Sequence, residues 1–111
     1  MNNKLNKEAE MSNKKYSLIK TNKKSRVGEA LFQVKAKISF GSVSKGELGG
    51  YIAKESNLSG EGDAWVSGNA EVYGNARVYG NAEVSGNARV SGDAWVSGNA
   101  LVYGNAEVYG D

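Results

Sequence analysis

From Gly68 onward the sequence repeats a six-residue unit with the consensus Gly-Asn/Asp-Ala-x-Val-Ser/Tyr. A fixed short period is interpreted before any other pattern, because it marks an architecture of stacked copies of one small unit. The alanine and the valine lie two residues apart, so in an extended strand they point to the same side. Glycine followed by Asn or Asp marks a corner, since glycine enters positive φ freely. Each unit is therefore predicted to be one short strand and one corner.

Such a strand cannot bury its apolar side alone, so successive units are expected to coil until each backbone pairs with the next turn. Three corners close a triangular coil of three six-residue units, which repeats at eighteen residues. This spacing stacks Glu71, Arg89 and Glu107 in one outward column whose charges alternate in sign. The other two outward columns are Trp65, Glu83 and Leu101, and Arg77 and Trp95.

Inside this coil the alanine and valine positions form apolar columns, and each buried valine contributes roughly 1.5 to 3 kcal/mol. Examples are Ala64, Ala82 and Ala100, and Val66, Val84 and Val102. At the corners the amide side chains are placed to form ladders along the axis. The corner columns are Asn69, Asn87 and Asn105, and Asn75, Asp93 and Asp111.

The sequence divides into three predicted segments. Residues 1–15 are rich in Asn and Lys and are expected to be a disordered basic tail. Residues 16–49 are expected to form a β-hairpin cap from the strands YSLIK and LFQVKAKISF, joined by the polar connection TNKKSRVGEA. In the second strand Phe32, Val34, Ala36, Ile38 and Phe40 share one side. Residues 50–111 form the array of about ten units, or about 3.5 coils.

The first two units of the array are degenerate, as expected for terminal repeats. Gly50-Tyr51-Ile52 and Ser56-Asn57-Leu58 are predicted to take the Gly-Asn-Ala places. The predicted fold class is all-β, a parallel β-helix with a small N-terminal β cap.

The array resembles the left-handed parallel β-helix of hexapeptide-repeat proteins, the fold of the hexapeptide acyltransferases. The left hand is implied by this resemblance alone, because the general rule for parallel crossovers favours the right hand. A second resemblance rests on Phe40, Gly41, Val43, Gly46 and the run Leu48-Gly49-Gly50-Tyr51-Ile52. These residues are similar to the cap of uncharacterised phage and prophage proteins that opens onto the same repeats, which implies a phage or prophage setting.

Residue types missing from the sequence argue against catalysis and metal binding. Acyltransferases of the hexapeptide type use a histidine base, and this chain has no histidine, cysteine or proline. We expect no catalytic residue, no cofactor and no metal; the mostly neutral corner residues differ from calcium-binding β-rolls. The N-terminal residues show neither a signal peptide nor a membrane helix, which predicts a cytoplasmic protein in a bacterial host cell.

Charge is distributed unevenly along the chain. Residues 1–49 carry eleven Lys/Arg against four Asp/Glu, and residues 50–111 carry three against eight. A basic cluster raises nucleic-acid binding as a hypothesis, but solvated surface charge explains it more simply. The cluster comprises Lys14, Lys15, Lys20, Lys23, Lys24 and Arg26. We expect neither nucleic acid nor a membrane as a partner.

Large apolar side chains at outward positions predict an interaction surface. They are Trp65, Tyr73, Tyr79, Trp95, Leu101, Tyr103 and Tyr109. Trp65 and Leu101 share one face with Tyr103 nearby, and we expect a neighbouring subunit there, with a homotrimer favoured by the hexapeptide resemblance. The predicted function is a non-enzymatic oligomeric scaffold or protein-interaction module. The alternatives are a phage-encoded inhibitor of a host defence component and a degenerate acyltransferase-like enzyme.

Overall fold

The computed structural model describes residues 13–110, so the predicted tail lies outside the described residues except for Asn13, Lys14 and Lys15. This part of the chain is all-β apart from one 3-10 turn. The N-terminal strands are β1 (Tyr16–Lys24), β2 (Ala30–Ala36) and β3 (Leu48–Ile52), followed by the 3-10 turn (Glu55–Asn57). The array contains β4 (Trp65–Val66), β5 (Glu71–Val72), β6 (Arg77–Val78), β7 (Glu83–Val84), β8 (Arg89–Gly92), β9 (Trp95–Val96), β10 (Leu101–Val102) and β11 (Glu107–Gly110).

These strands form a parallel β-helix of about three turns with three faces. Face 1 contains β3, β5, β8 and β11, face 2 contains β6 and β9 below Leu58, and face 3 contains β4, β7 and β10. Glu71 pairs with Arg89 and Arg89 with Glu107, in both cases eighteen residues apart. The predicted coil of three units, with its three outward columns, is confirmed.

The core of the β-helix consists of the predicted alanine and valine columns. Val66, Val72, Val78, Val84 and Val90 are fully buried. Only the last turn departs from this, because Val102 and Val108 are partly buried. Hydrophobic stabilisation is therefore concentrated in the turns that have a coil or the cap on both sides.

The first turn is two residues longer than the others, which corrects the predicted phase of the degenerate units. Ile52 pairs with Val72 and Leu58 with Val78, twenty residues on, whereas Trp65 pairs with Glu83 eighteen residues on. Ile52 and Leu58 thus occupy valine places rather than alanine places. Comparison of the corner Ser59–Asp63 with Tyr79–Asn81 locates the two additional residues there. The repeat pattern did not reveal this shift in phase, because two additional residues leave the alternation of inward and outward side chains unchanged.

At each corner the glycine adopts the backbone conformation of the turn, and the residue after it places its side chain along the axis. Every positive φ among residues 13–110 belongs to a glycine, for example Gly86 at +68°. A Cβ on Gly86 would lie 2.9 Å from the backbone nitrogen of Gly104 one turn below, so the turns approach too closely there for any side chain. The amides form the predicted ladders, as in Asn69 to Asn87 and Asn87 to Asn105, both at 3.4 Å. Asp111 lies outside the described residues.

The N-terminal hairpin is confirmed, and its sheet continues directly into face 1. β1 pairs with β2 and β2 with β3, both antiparallel. Two details differ from the prediction: β1 extends to Lys24, and β2 ends at Ala36. Ile38, predicted to point inward, is therefore 47% exposed. The chain turns at Phe40, which forms an isolated bridge with Val43, and this turn ends the alternation.

The first end of the β-helix is closed by Lys15 and Tyr16. The Lys15 ammonium donates to the carbonyl oxygens of Ala64 at 2.7 Å, Glu61 at 3.3 Å and Gly62 at 3.4 Å. The Tyr16 hydroxyl donates to the carbonyl oxygens of Glu55 and Leu58. These carbonyl groups belong to the first turn and have no preceding turn to pair with, so the side chains replace the missing strand.

Lys15 therefore belongs to the folded domain, which corrects its assignment to a mobile tail. Burial lowers the pKa of the Lys15 ammonium to about 8, against the opposing attraction of Asp63. Burial also raises the pKa of the Tyr16 phenol above its usual value. The feature of the sequence that could have indicated this structural role is the position of Lys15 directly before β1.

Asn57 completes the closure at the corner between faces 1 and 2. Its fully buried side chain accepts from the backbone N–H groups of Ala53 and Lys54. It donates to the carbonyl oxygens of Gly74 at 3.2 Å and Ala76 at 2.9 Å. One amide thus satisfies four backbone groups.

Candidate interaction surface

The seven predicted surface residues separate into a covered group and an uncovered group. Trp65 and Tyr73 are buried, and Tyr79 is half-buried. The remaining four all belong to the last turn and are exposed: Trp95 by 64%, Leu101 by 62%, Tyr103 by 68% and Tyr109 by 73%. The structure therefore confines the candidate surface to the end of the β-helix that lies away from the hairpin.

Trp65 is the clearest correction. Its indole does point out of face 3, as the phase predicted, but the chain's own cap covers it, and only 4% remains exposed. The rings of Phe40 and Tyr16 meet it edge-on, with centroids at 5.2 Å and 6.5 Å. The predicted contact between Trp65 and a neighbouring subunit is therefore wrong. Sequence spacing could not show that the turn after β2 folds back over this position.

Tyr73 is covered by the tip of the hairpin, which reaches across the corner after β5. Glu29 at this tip accepts a hydrogen bond of 2.8 Å from the backbone N–H of Gly74. A groove of about 560 Å³ remains between the tip and the β-helix, lined in part by Arg26, Glu29 and Tyr109. The outward-pointing Tyr73 is thus covered by another part of the same chain.

Face 1 carries a continuous chain of opposite charges. Arg89 lies 3.8 Å from Glu71 and 3.7 Å from Glu107, which confirms the predicted ladder. The hairpin supplies a cation at each end that the repeat pattern did not reveal: Lys23 lies 3.5 Å from Glu71, and Arg26 lies 3.3 Å from Glu107. Every charged side chain of the face 1 column is therefore paired, and two ion pairs attach the hairpin to this face.

The basic cluster seen in the sequence is consequently divided. Lys14, Lys20 and Lys24 are exposed. Lys15 is buried, so the interpretation as solvated charge is wrong for this residue, whereas Lys23 and Arg26 are exposed and also form ion pairs with the β-helix. Three of the six cations of this cluster thus contact the β-helix.

Face 2 presents an arginine directly above a tryptophan. Arg77 pairs in register with Trp95 on the next turn. The Tyr79 ring meets the Trp95 indole edge-on, at 6.0 Å and 79°, which restricts its orientation. A groove of about 390 Å³ runs beside these side chains and also includes Ser56 and Ser59.

Face 3 presents a glutamate directly above a leucine. Glu83 pairs in register with Leu101 on the next turn, and both side chains are exposed. Glu47 and Asp63 join Glu83 around a groove of about 310 Å³. The accessible part of face 3 is therefore acidic above and apolar below.

Among residues 13–110 there is no group of three or more histidine, cysteine, aspartate or glutamate side chains placed to hold a metal ion. No helix in the described part of the chain has the length and apolar character needed to cross a membrane.

Comparison with known proteins agrees with the fold of the array. Residues 70–84, 82–98 and 94–110 match the family model for the YdcK beta solenoid repeat. No curated protein matches the chain significantly. The matched residues begin just before β5 and continue through β11, and they include the four exposed residues of the last turn. The chain is a parallel β-helix protein whose coils are similar to YdcK β-solenoid repeats.

Proposed function

We propose that this protein is a non-enzymatic scaffold of phage or prophage origin that self-associates, as a homotrimer, through the last turn of its β-helix. The proposal rests on the contrast between covered and uncovered aromatic residues. In the upper turns Trp65 and Tyr73 are covered by the chain itself, whereas Trp95, Leu101 and Tyr103 remain exposed by more than 60% each. Clustered exposed apolar side chains are typical of interaction sites.

Rigidity of the β-helix supports a scaffold role. Its turns are joined by backbone hydrogen bonds, by corner amide ladders and by the charges of face 1, so its strands hold fixed relative positions. A surface that loses little conformational freedom on association binds at lower entropic cost. The sequence also has no histidine, the base of the acyltransferases that the array resembles. The phage or prophage setting rests on the cap motif, and we place the protein in the bacterial cytoplasm.

Solution mass tests this proposal. One chain has a mass of 11.8 kDa, and three chains give about 35 kDa. The triple variant Trp95→Ser, Leu101→Ser, Tyr103→Ser is expected to shift light scattering from the larger mass toward the smaller. The control is Val27→Ser with Ile38→Ser, which removes exposed apolar side chains from the hairpin and the turn after β2 instead. A monomeric parent protein, or a triple variant with the parent's mass, would contradict the proposal.

Two further outcomes would favour the alternatives. A purified host protein that displaces self-association would support an inhibitor of a host component. Heat of acetyl-CoA binding in calorimetry would support the acyltransferase-like alternative. We expect no heat of acetyl-CoA binding, because the sequence has no histidine, the base that acyltransferases of this type use.

A further inference from the structure

We propose that face 2 of one copy packs against face 3 of the next, with Arg77 opposite Glu83 and Trp95 opposite Leu101. This inference rests on the proposed self-association and specifies its contact. It commits to a second copy of this chain as the occupant of both faces.

Charge complementarity is the first argument. Arg77 and Glu83 are exposed, and within residues 13–110 neither has an ion-pair partner. In contrast, all three charged residues of the face 1 column are paired. The β-helix therefore has an unused cation on face 2 and an unused carboxylate on face 3. An Arg–carboxylate pair is well suited to an interface because it forms two parallel hydrogen bonds.

Apolar complementarity is the second argument. The exposed Trp95 lies one turn below Arg77, and the exposed Leu101 lies one turn below Glu83. Each face thus presents a charge above an apolar side chain. An interface with an aromatic anchor next to a buried charge pair has the composition of a typical energetic centre.

One rigid placement satisfies both contacts. Arg77 and Glu83 are six residues apart, and so are Trp95 and Leu101, so both pairs have the same offset along the axis. With turns stacked at about 4.8 Å, a third of a turn corresponds to about 1.6 Å, which long side chains can accommodate. Two copies with parallel axes therefore align both contacts together.

Face 1 is less suited to such a contact, because the charges of its column are already paired. The hairpin reaches Glu107 through Arg26 and Gly74 through Glu29, so it lies across one side of the β-helix. Faces 2 and 3 carry the two unpaired charges, and they share the corner around Tyr79–Asn81. A contact between two different faces is heterologous, and it closes into a ring when the rotation between neighbouring copies divides the full circle. In the proposed trimer, neighbouring copies touch each other beside that shared corner.

Charge reversal tests the pairing. Arg77→Glu and Glu83→Arg each create a like-charge contact, and each is expected to weaken association about 10- to 100-fold in sedimentation measurements. The double variant restores opposite charges in swapped positions and should recover most of the parent's affinity. The matched control is Lys24→Glu, an equal change of charge on an exposed residue of the hairpin that lies outside the contact, which should leave the affinity unchanged.

Fluorescence gives an independent readout. In a Trp65→Phe background Trp95 is the sole tryptophan, and its emission should shift to the blue as the concentration rises through the association range. The Arg77→Glu variant should move that transition to higher concentration by the same factor as in sedimentation.

The outcomes separate this inference from the proposed function. An assembled parent whose affinity survives both reversals would overturn the face 2–face 3 contact while leaving self-association intact. Weakened single variants without recovery in the double variant would overturn the pairing of Arg77 with Glu83. A parent protein that stays monomeric at all concentrations would remove the proposed function, and this inference with it.

Discussion

Substitution of corner glycines measures how closely the turns of the β-helix pack. Gly86 and Gly104 occupy equivalent corners one turn apart, with φ of +68° and +66°. They differ in what lies beneath them. A Cβ on Gly86 would lie 2.9 Å from the nitrogen and 3.1 Å from the oxygen of Gly104, whereas a Cβ on Gly104 would have no atom within 4 Å. Gly104→Ala is therefore a matched control for Gly86→Ala.

The expected magnitudes follow from these two contributions. An alanine in the left-handed region costs about 1–2 kcal/mol of unfolding free energy, and both variants lose this amount. Gly86→Ala must in addition separate two backbones, and overpacking of this kind costs about 1–3 kcal/mol more. For a domain of this size each kcal/mol lowers Tm by roughly 4–8 °C. We thus expect the Gly86 variant to melt about 5–20 °C below the Gly104 variant.

Thermal unfolding followed by far-UV circular dichroism measures this difference, with all proteins at one concentration because association shifts Tm. Denaturant titration would convert it into free energy. Equal losses in the two variants would refute the reasoning, because they would mean that backbone conformation alone, and not the approach of adjacent turns, requires glycine.

Two other predictions concern the buried side chains. Because the pKa of Lys15 is lowered to about 8 in the folded state, the unfolded chain binds more protons between pH 8 and pH 10. Stability should then rise by up to about 2 kcal/mol over this range, and a Lys15→Met variant should lack the rise in urea titrations. Above pH 10 the raised pKa of Tyr16 acts in the opposite sense, and stability should fall. Val84→Asp places a carboxylate at a fully buried position and should unfold the array, whereas Glu83→Asp, at an exposed neighbour, should melt within a few degrees of the parent; a folded Val84→Asp protein would contradict the inward assignment.

The array was predictable because its physics is local and repeated. A single spacing of six residues determines which side chains point inward, and the columns from Val66 to Val90 follow from it without knowledge of any distant contact. The charge ladder of Glu71, Arg89 and Glu107 followed for the same reason. The handedness of the coil could not be predicted in this way, because the alternation of side chains along a strand is the same in a coil of either hand.

The cap and the surface were less predictable because they depend on contacts between distant parts of the chain. Phe40 covers Trp65 and Glu29 covers the corner after Tyr73, and no periodic pattern links these positions. The predicted surface therefore included residues that the chain itself covers, and the exposed turn farthest from the hairpin stays a prediction. Lys15 was missed as a structural residue because a lysine within an Asn/Lys-rich stretch usually indicates solvated charge.

The register of eighteen residues also limits how such a chain can change length during evolution. Duplication of a complete turn would leave every later side chain on its present face and preserve all columns. Duplication of a single six-residue unit between β5 and β7 would instead bring Glu83 beneath Glu71, where Arg89 now lies. The buried carboxylate of Glu71 would then meet a second carboxylate. Related proteins are therefore expected to gain or lose whole turns, even though the smallest repeated unit in their sequences is a third of that length.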